Sequence, residues 1–247
     1  MKKLIYLFVI LIGLFFLFGP EVRPDNFQPQ EVLATVQDSD VIIVFNSGGW
    51  GDVPLEKAED FAPIIEKIQQ TLDQWGYGTV VIPYTRTKAD LFGRVAGFRE
   101  LMNNFKNSSN DLAEKLEALN EKFPDKKIIV TGLSVGGAFV TKTYENISEE
   151  LKDSVYTIAV GTPFWADNFE SNNIIQVDNE GKDSLVRGNV SPLFFSLVKS
   201  PFKWLVSRIQ GQPLPFSMAF QAQGHAYSWE SPEVGPKIIS FLSDKFR

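Results

Sequence analysis

The chain has 247 residues, 44% of them hydrophobic, which is enough for one substantial core and, by default, one folded domain. A net charge of −6, a pI near 5.0 and the lack of any long Lys/Arg run exclude a binder of phosphate backbones, so no nucleic-acid partner is expected. With no cysteine and a single histidine, His225, neither a disulfide nor a His/Cys zinc site can be assembled; no metal and no cofactor are expected.

Lys2 and Lys3 precede an uncharged apolar run from Leu4 to Phe18, the pattern of a targeting segment rather than of a core element. As a helix this run would be roughly 22 Å long, short of the ~30 Å hydrocarbon core but within reach of local thinning or lysine snorkelling. Phe18-Gly19-Pro20-Glu21 lacks the small-residue cleavage pattern, so residues 1–19 read as an uncleaved signal anchor, with a cleaved signal peptide as the alternative. The expected location is the membrane with the folded part outside the cytoplasm, or secreted if the segment is removed. Pro20, Pro24 and Pro29 among polar residues predict an extended linker over 20–39, leaving 40–247 as the domain.

From Asp40 onwards strand-like and helix-like segments alternate, the pattern of a mostly parallel sheet flanked by helices. Val41 to Phe45 is a short β-branched run that ends in Asn46-Ser47-Gly48-Gly49-Trp50-Gly51. Phe61, Ile64, Ile65, Ile68, Leu72 and Trp75 then recur at helical spacing, and Gly76 closes that helix. Thr79 to Pro83 is the second strand. Two helices follow, through Leu91, Val95, Phe98, Leu101 and Phe105, then Leu112, Leu116 and Leu119, with Asn107-Ser108-Ser109-Asn110 expected to separate them by capping. Lys127 to Thr131, Val155 to Val160 and Ile174 to Val177 complete five strands, and a last helix is expected from about Ser231 to Phe246. The fold class is therefore α/β, with about five or more strands, preceded by the N-terminal hydrophobic helix.

Gly132-Leu133-Ser134-Val135-Gly136 fits G-x-S-x-G and lies between a buried strand and a helix beginning near Ala138. That context suits a serine nucleophile on a sharp strand-to-helix turn, with small flanking residues because side chains there would collide with the strand or helix. Such a serine needs two backbone donors for the developing oxyanion. Val135 supplies one. Gly49, in a Ser47-Gly48-Gly49-Trp50-Gly51 loop shaped like H-G-G-x-G with serine in the histidine position, supplies the other. The base has to be His225, and its place after Ser134 and after a set of acids follows the order Ser, acid, His. Asp178, closing the fifth strand at its carboxyl edge, and Asp183, in the loop beyond, are both candidates for the acid.

These features resemble the α/β-hydrolases, and in particular their lipase- and esterase-like members. Thr157-Ile158-Ala159-Val160-Gly161-Thr162-Pro163-Phe164 is similar to the strand and turn after the nucleophile helix in that group. Val177-Asp178-Asn179 to Asp183-Ser184-Leu185-Val186 is similar to the acid-bearing segment, and this likeness implies Asp183 as the triad acid. Five strands imply a reduced sheet of the cutinase kind. The apolar stretch from Ser191 to Gly211 reads either as a helix packed on the sheet or as a cap insertion at about 187–215 that lines an acyl pocket or touches the bilayer. The resemblance implies a serine hydrolase that cleaves carboxylic ester or thioester bonds through a Ser134-Asp183-His225 triad and an acyl-enzyme. Its partners would be small or lipid-like esters, acylated envelope substrates among them, and the membrane through the N-terminal segment. An acyltransferase with the same triad, or a non-catalytic envelope binding protein of the same fold, is the alternative.

Overall fold

A computed structural model describes residues 26–166, 169–188 and 224–247. The hydrophobic segment 1–19 lies outside the described residues, as does the expected cap at 187–215 apart from Arg187 and Gly188. Among the described residues no helix is long and apolar enough to cross a membrane.

Five parallel strands form one sheet: β1 (Val41–Asn46), β2 (Thr79–Pro83), β3 (Lys127–Leu133), β4 (Val155–Val160) and β5 (Ile174–Val177), in the order β2-β1-β3-β4-β5. Both β1 and β4 are buried along their whole length, as a parallel sheet covered on two faces requires of β-branched runs. Alternate residues serve opposite layers. Ile42 and Val44 of β1, with Ile128 and Val130 of β3, pack under α4 (Lys106–Lys122) and α5 (Val135–Asn146), through Leu112, Leu116, Phe139 and Val140. Val41, Ile43 and Phe45, with Ile129 and Leu133, meet α2 (Ala62–Gln74) and α7 (Gly235–Phe246) through Ile64, Ile68, Ile238 and Leu242. The strand order puts β3 at the centre. Its carboxyl end, where Ser134 lies, is thus flanked by the ends of β1 and β4.

Two stretches differ from the sequence reading. The described part of the expected linker is packed on the domain: α1 (Leu33–Gln37) fully buries Val36, Phe27 meets Tyr84 edge to face at 6.4 Å, and Asn26 Oδ1 accepts from the Thr85 N–H at 2.9 Å. Phe27, Val32 and Val36 reach the α4/α5 layer. The break between α3 (Leu91–Met102) and α4 falls before Asn107-Ser108-Ser109-Asn110, which lies inside α4. The chain turns instead at Asn104 and Phe105, both with positive φ, because Phe105 buries its ring against Phe139. Glu100 then caps α4 from the preceding helix, accepting from both the N–H and the hydroxyl of Ser108. A short α6 (Glu149–Lys152) leads into β4.

Candidate active site

Ser134 sits between β3 and α5 with φ 56° and ψ −121°, a conformation that costs a non-glycine residue on the order of 1–3 kcal/mol. The turn is fixed from below: the Ser134 N–H donates to Val160 O at 2.7 Å, and its carbonyl accepts from the N–H groups of Gly137 and Ala138. The flanking glycines are there for space. A Cβ on Gly132 would stand 2.2 Å from Gly136 O, and one on Gly136 would stand 2.6 Å from Ser47 O. The strand, the turn and the loop after β1 therefore touch backbone to backbone.

His225 and Asp183 come together although 42 residues separate them, with His225 Nδ1 2.6 Å from Asp183 Oδ2. Asp183 is fully buried and His225 nearly so. Burial pushes the Asp183 carboxyl up, but hydrogen bonds from His225 and Tyr227, the imidazole charge and the Leu185 N–H together hold it below the ordinary carboxylate range. An ionised carboxylate only accepts, so Nδ1 carries the proton that is donated to Asp183 Oδ2. Backbone N–H groups of Leu185 and Val186 orient Asp183 Oδ1 at 2.8 and 3.3 Å. Asn179 Nδ2 donates to Gly224 O and Ala226 O, tying the histidine loop to the acid loop.

Asp178 is placed elsewhere. It is half-exposed, 3.8 Å from Lys237 Nζ, and accepts from the Glu180 N–H. Tyr227 was not among the sequence candidates, yet its hydroxyl donates to Asp183 Oδ2 at 2.5 Å. Its ring stands edge-on to His225 and rests on Gly161. The aromatic pair His225 and Tyr227 was visible in the sequence, but nothing local showed that both would reach one carboxylate.

The loop after β1 reaches the serine: a Cβ on Gly48 would lie 3.7 Å from Ser134 Cβ. Gly49 and Val135 both line a cavity of about 200 Å³, together with Trp50, Leu101, Phe105 and Trp165. That wall is almost wholly apolar. Among the described residues no cluster of three or more acidic or histidine side chains is arranged to hold a metal ion.

The family model for Lipase (class 3) matches residues 65–181, which span the central strand, the serine turn and the start of the acid loop. The chain has a lipase/esterase-like α/β-hydrolase fold. The match in this hydrolase stops short of both Asp183 and His225 and begins after Gly49, so the arrangement of those three is known from geometry alone. Similar solved structures include a Trichoderma reesei cutinase in complex with a C11Y4 phosphonate inhibitor, 14% identical, covering 65% of this chain and 73% of that one at a TM-score of 0.46. An acetylxylan esterase is 11% identical, with 56% and 81% of the two chains covered and a TM-score of 0.42. A cutinase-like protein from Cryptococcus sp. is 18% identical over 50% of this chain and 52% of that one, at a TM-score of 0.34. No curated protein sequence is significantly similar to the chain.

Proposed function

We propose that this hydrolase cleaves carboxylic esters, thioesters included, with Ser134 as nucleophile, His225 as general base and Asp183 as the acid that orients it. The observation that carries this reading is the 2.6 Å contact between a buried, ionised Asp183 and the Nδ1 of the chain's single histidine, in a fold whose elbow holds a serine at positive φ. With Nδ1 committed to Asp183, Nε2 takes the Ser134 proton as Oγ attacks the ester carbonyl. The N–H groups of Val135 and Gly49 hold the tetrahedral oxyanion, and the imidazolium returns its proton to the leaving alkoxide or thiolate. Water, activated by the same nitrogen, then releases the acyl group. Asp183 stays ionised throughout and stabilises the imidazolium.

The apolar wall beside Gly49 and Val135 supports lipid-like or acylated substrates. The apolar run at residues 4–18 supports action at a membrane, with the domain outside the cytoplasm, or secretion after cleavage. The reading is tested by labelling with a fluorophosphonate probe. Labelling of wild type that is lost in Ser134→Ala, falls at least ~100-fold in rate in His225→Ala and Asp183→Asn, and persists in Asp178→Asn is the expected outcome. Folded wild-type protein that neither labels nor hydrolyses p-nitrophenyl esters would overturn it.

A further inference from the structure

Beyond β2 the chain runs beside the loop Ser47–Gly51, and Arg86 is buried there at 7% exposure. Its Nη2 donates to Ser47 O at 2.8 Å and to Gly49 O at 3.1 Å, and its backbone N–H donates to Gly51 O at 2.9 Å. The neighbouring Thr87 Oγ1 donates to Trp50 O at 2.9 Å, and the Gly51 N–H closes a turn on Gly48 O at 3.0 Å. Every carbonyl from Ser47 to Gly51 thus has a donor, four of the five supplied by Arg86 and Thr87. A trans peptide sets each carbonyl opposite the next N–H, so fixing the Ser47 and Gly49 carbonyls on the guanidinium turns the N–H groups of Gly48 and Trp50 away from it. The turn closed by Gly51 fixes the Gly49 N–H in the same way.

This placement is expensive. Among the described residues no carboxylate hydrogen-bonds to Arg86, and its Nε has no partner. Burial lowers the guanidinium to about 10, which leaves it charged at neutral pH, with Phe139 and Phe105 presenting ring faces at 5.4 and 5.7 Å. A well-packed apolar side chain would commonly be at least as stabilising as such a buried charge. Gly51 makes room for it: a Cβ there, already strained at φ 74°, would stand 2.4 Å from Arg86 Nε. The cavity beside Val135 runs up to the same guanidinium.

We propose that Arg86 is a positioning residue for the oxyanion hole: by clamping the carbonyls of Ser47 and Gly49 it holds the peptides on either side of the Gly48–Gly49 unit, so that the Gly49 N–H is preset toward the oxygen that forms above Ser134. Its role follows from the fork of guanidinium donors: one nitrogen bridges two carbonyls while the guanidinium carbon lies 5.4 and 5.7 Å from two ring centroids, which a lysine ammonium does not reproduce. This inference rests on the oxyanion reading of Gly49 and Val135 proposed above, so its test includes a measurement that needs no activity.

The experiment compares the full-length wild type with Arg86→Lys and Arg86→Ala by p-nitrophenyl butyrate kinetics, inhibition by butaneboronic acid, and amide hydrogen exchange at Gly51. For Arg86→Lys we expect kcat to fall about 100-fold with KM within about threefold, the range of losing one oxyanion donor. The boronic acid, a tetrahedral mimic, should weaken by a similar factor, and the Gly51 amide should exchange faster. In Arg86→Ala, added guanidinium ion at concentrations that leave the fold intact should restore part of kcat, which a general loss of stability would not allow. A folded Arg86→Lys with wild-type kcat, or with slow Gly51 exchange unchanged, overturns the proposal. If the wild type proves inactive toward esters, faster Gly51 exchange in the variants still upholds the clamp, and the ester reading alone falls.

Discussion

Asp183 receives more hydrogen bonds than orienting His225 alone would need, and Tyr227 is the most informative of its donors. Replacing Tyr227 by Phe keeps the ring on Gly161 and removes a 2.5 Å hydrogen bond to a buried carboxylate. Hydrogen bonds to charged groups are worth about 1.5–3 kcal/mol, so the variant should lose stability of that order in urea and about tenfold in kcat. The same carboxylate sets a pH dependence. Because the folded protein holds Asp183 below its ordinary value, the stability it contributes is complete above the unfolded carboxylate range near pH 4. That stability is lost as pH falls through the lower folded value. Denaturant titrations between about pH 6 and pH 2 should therefore show a steeper acid loss in wild type than in Asp183→Asn, which is uniformly weaker at neutral pH.

At the scale of elements, the turn between β3 and α5 tolerates no side chain at its first glycine. Gly132→Ala would press a methyl to 2.2 Å of Gly136 O, backbone against backbone, and neither strand nor helix can yield without moving Ser134. We expect folded Gly132→Ala to lose fluorophosphonate labelling altogether, whereas Gly76→Ala, whose Cβ would meet nothing within 4 Å, costs only the strain of its φ of 91° and leaves labelling intact. On the opposite layer, Leu242 of α7 is fully buried against β-strand side chains and α2. Leu242→Ala should destabilise by about 2–5 kcal/mol in a denaturant titration, with kcat of the remaining folded protein unchanged.

For the molecule as a whole, the residues before β1 belong to the core. Val36 is fully buried, and Phe27 and Val32 pack on the same layer as α4 and α5. A chain starting at Asn26 should therefore be more stable than one starting at Asp40, by at least the ~1.5–3 kcal/mol that burying one such side chain contributes. Equal thermal midpoints for the two chains would show that this packing contributes nothing. Among the described residues the buried charged side chains are Arg86, Asp183 and Glu233, of which Arg86 holds the loop after β1 and Asp183 holds His225.

The sequence by itself determined the five strands, a mostly parallel sheet and the strand-to-helix turn that carries Ser134, because β-branched runs, helical spacing and a G-x-S-x-G turn between strand and helix are local patterns; that every pair is parallel came from the tertiary structure. The order Ser, acid, His narrowed the remaining roles to a few residues. Only the tertiary structure showed that Asp183, and not Asp178, reaches His225, since this depends on which loop bends back to a residue 42 positions further along the chain. The same holds for Tyr227, for the clamp of Arg86 on Ser47 and Gly49, and for the helix break at Phe105. Each depends on contacts between segments distant in sequence, where burial and hydrogen bonding outweigh local propensity, and a single sequence carries no local mark of them.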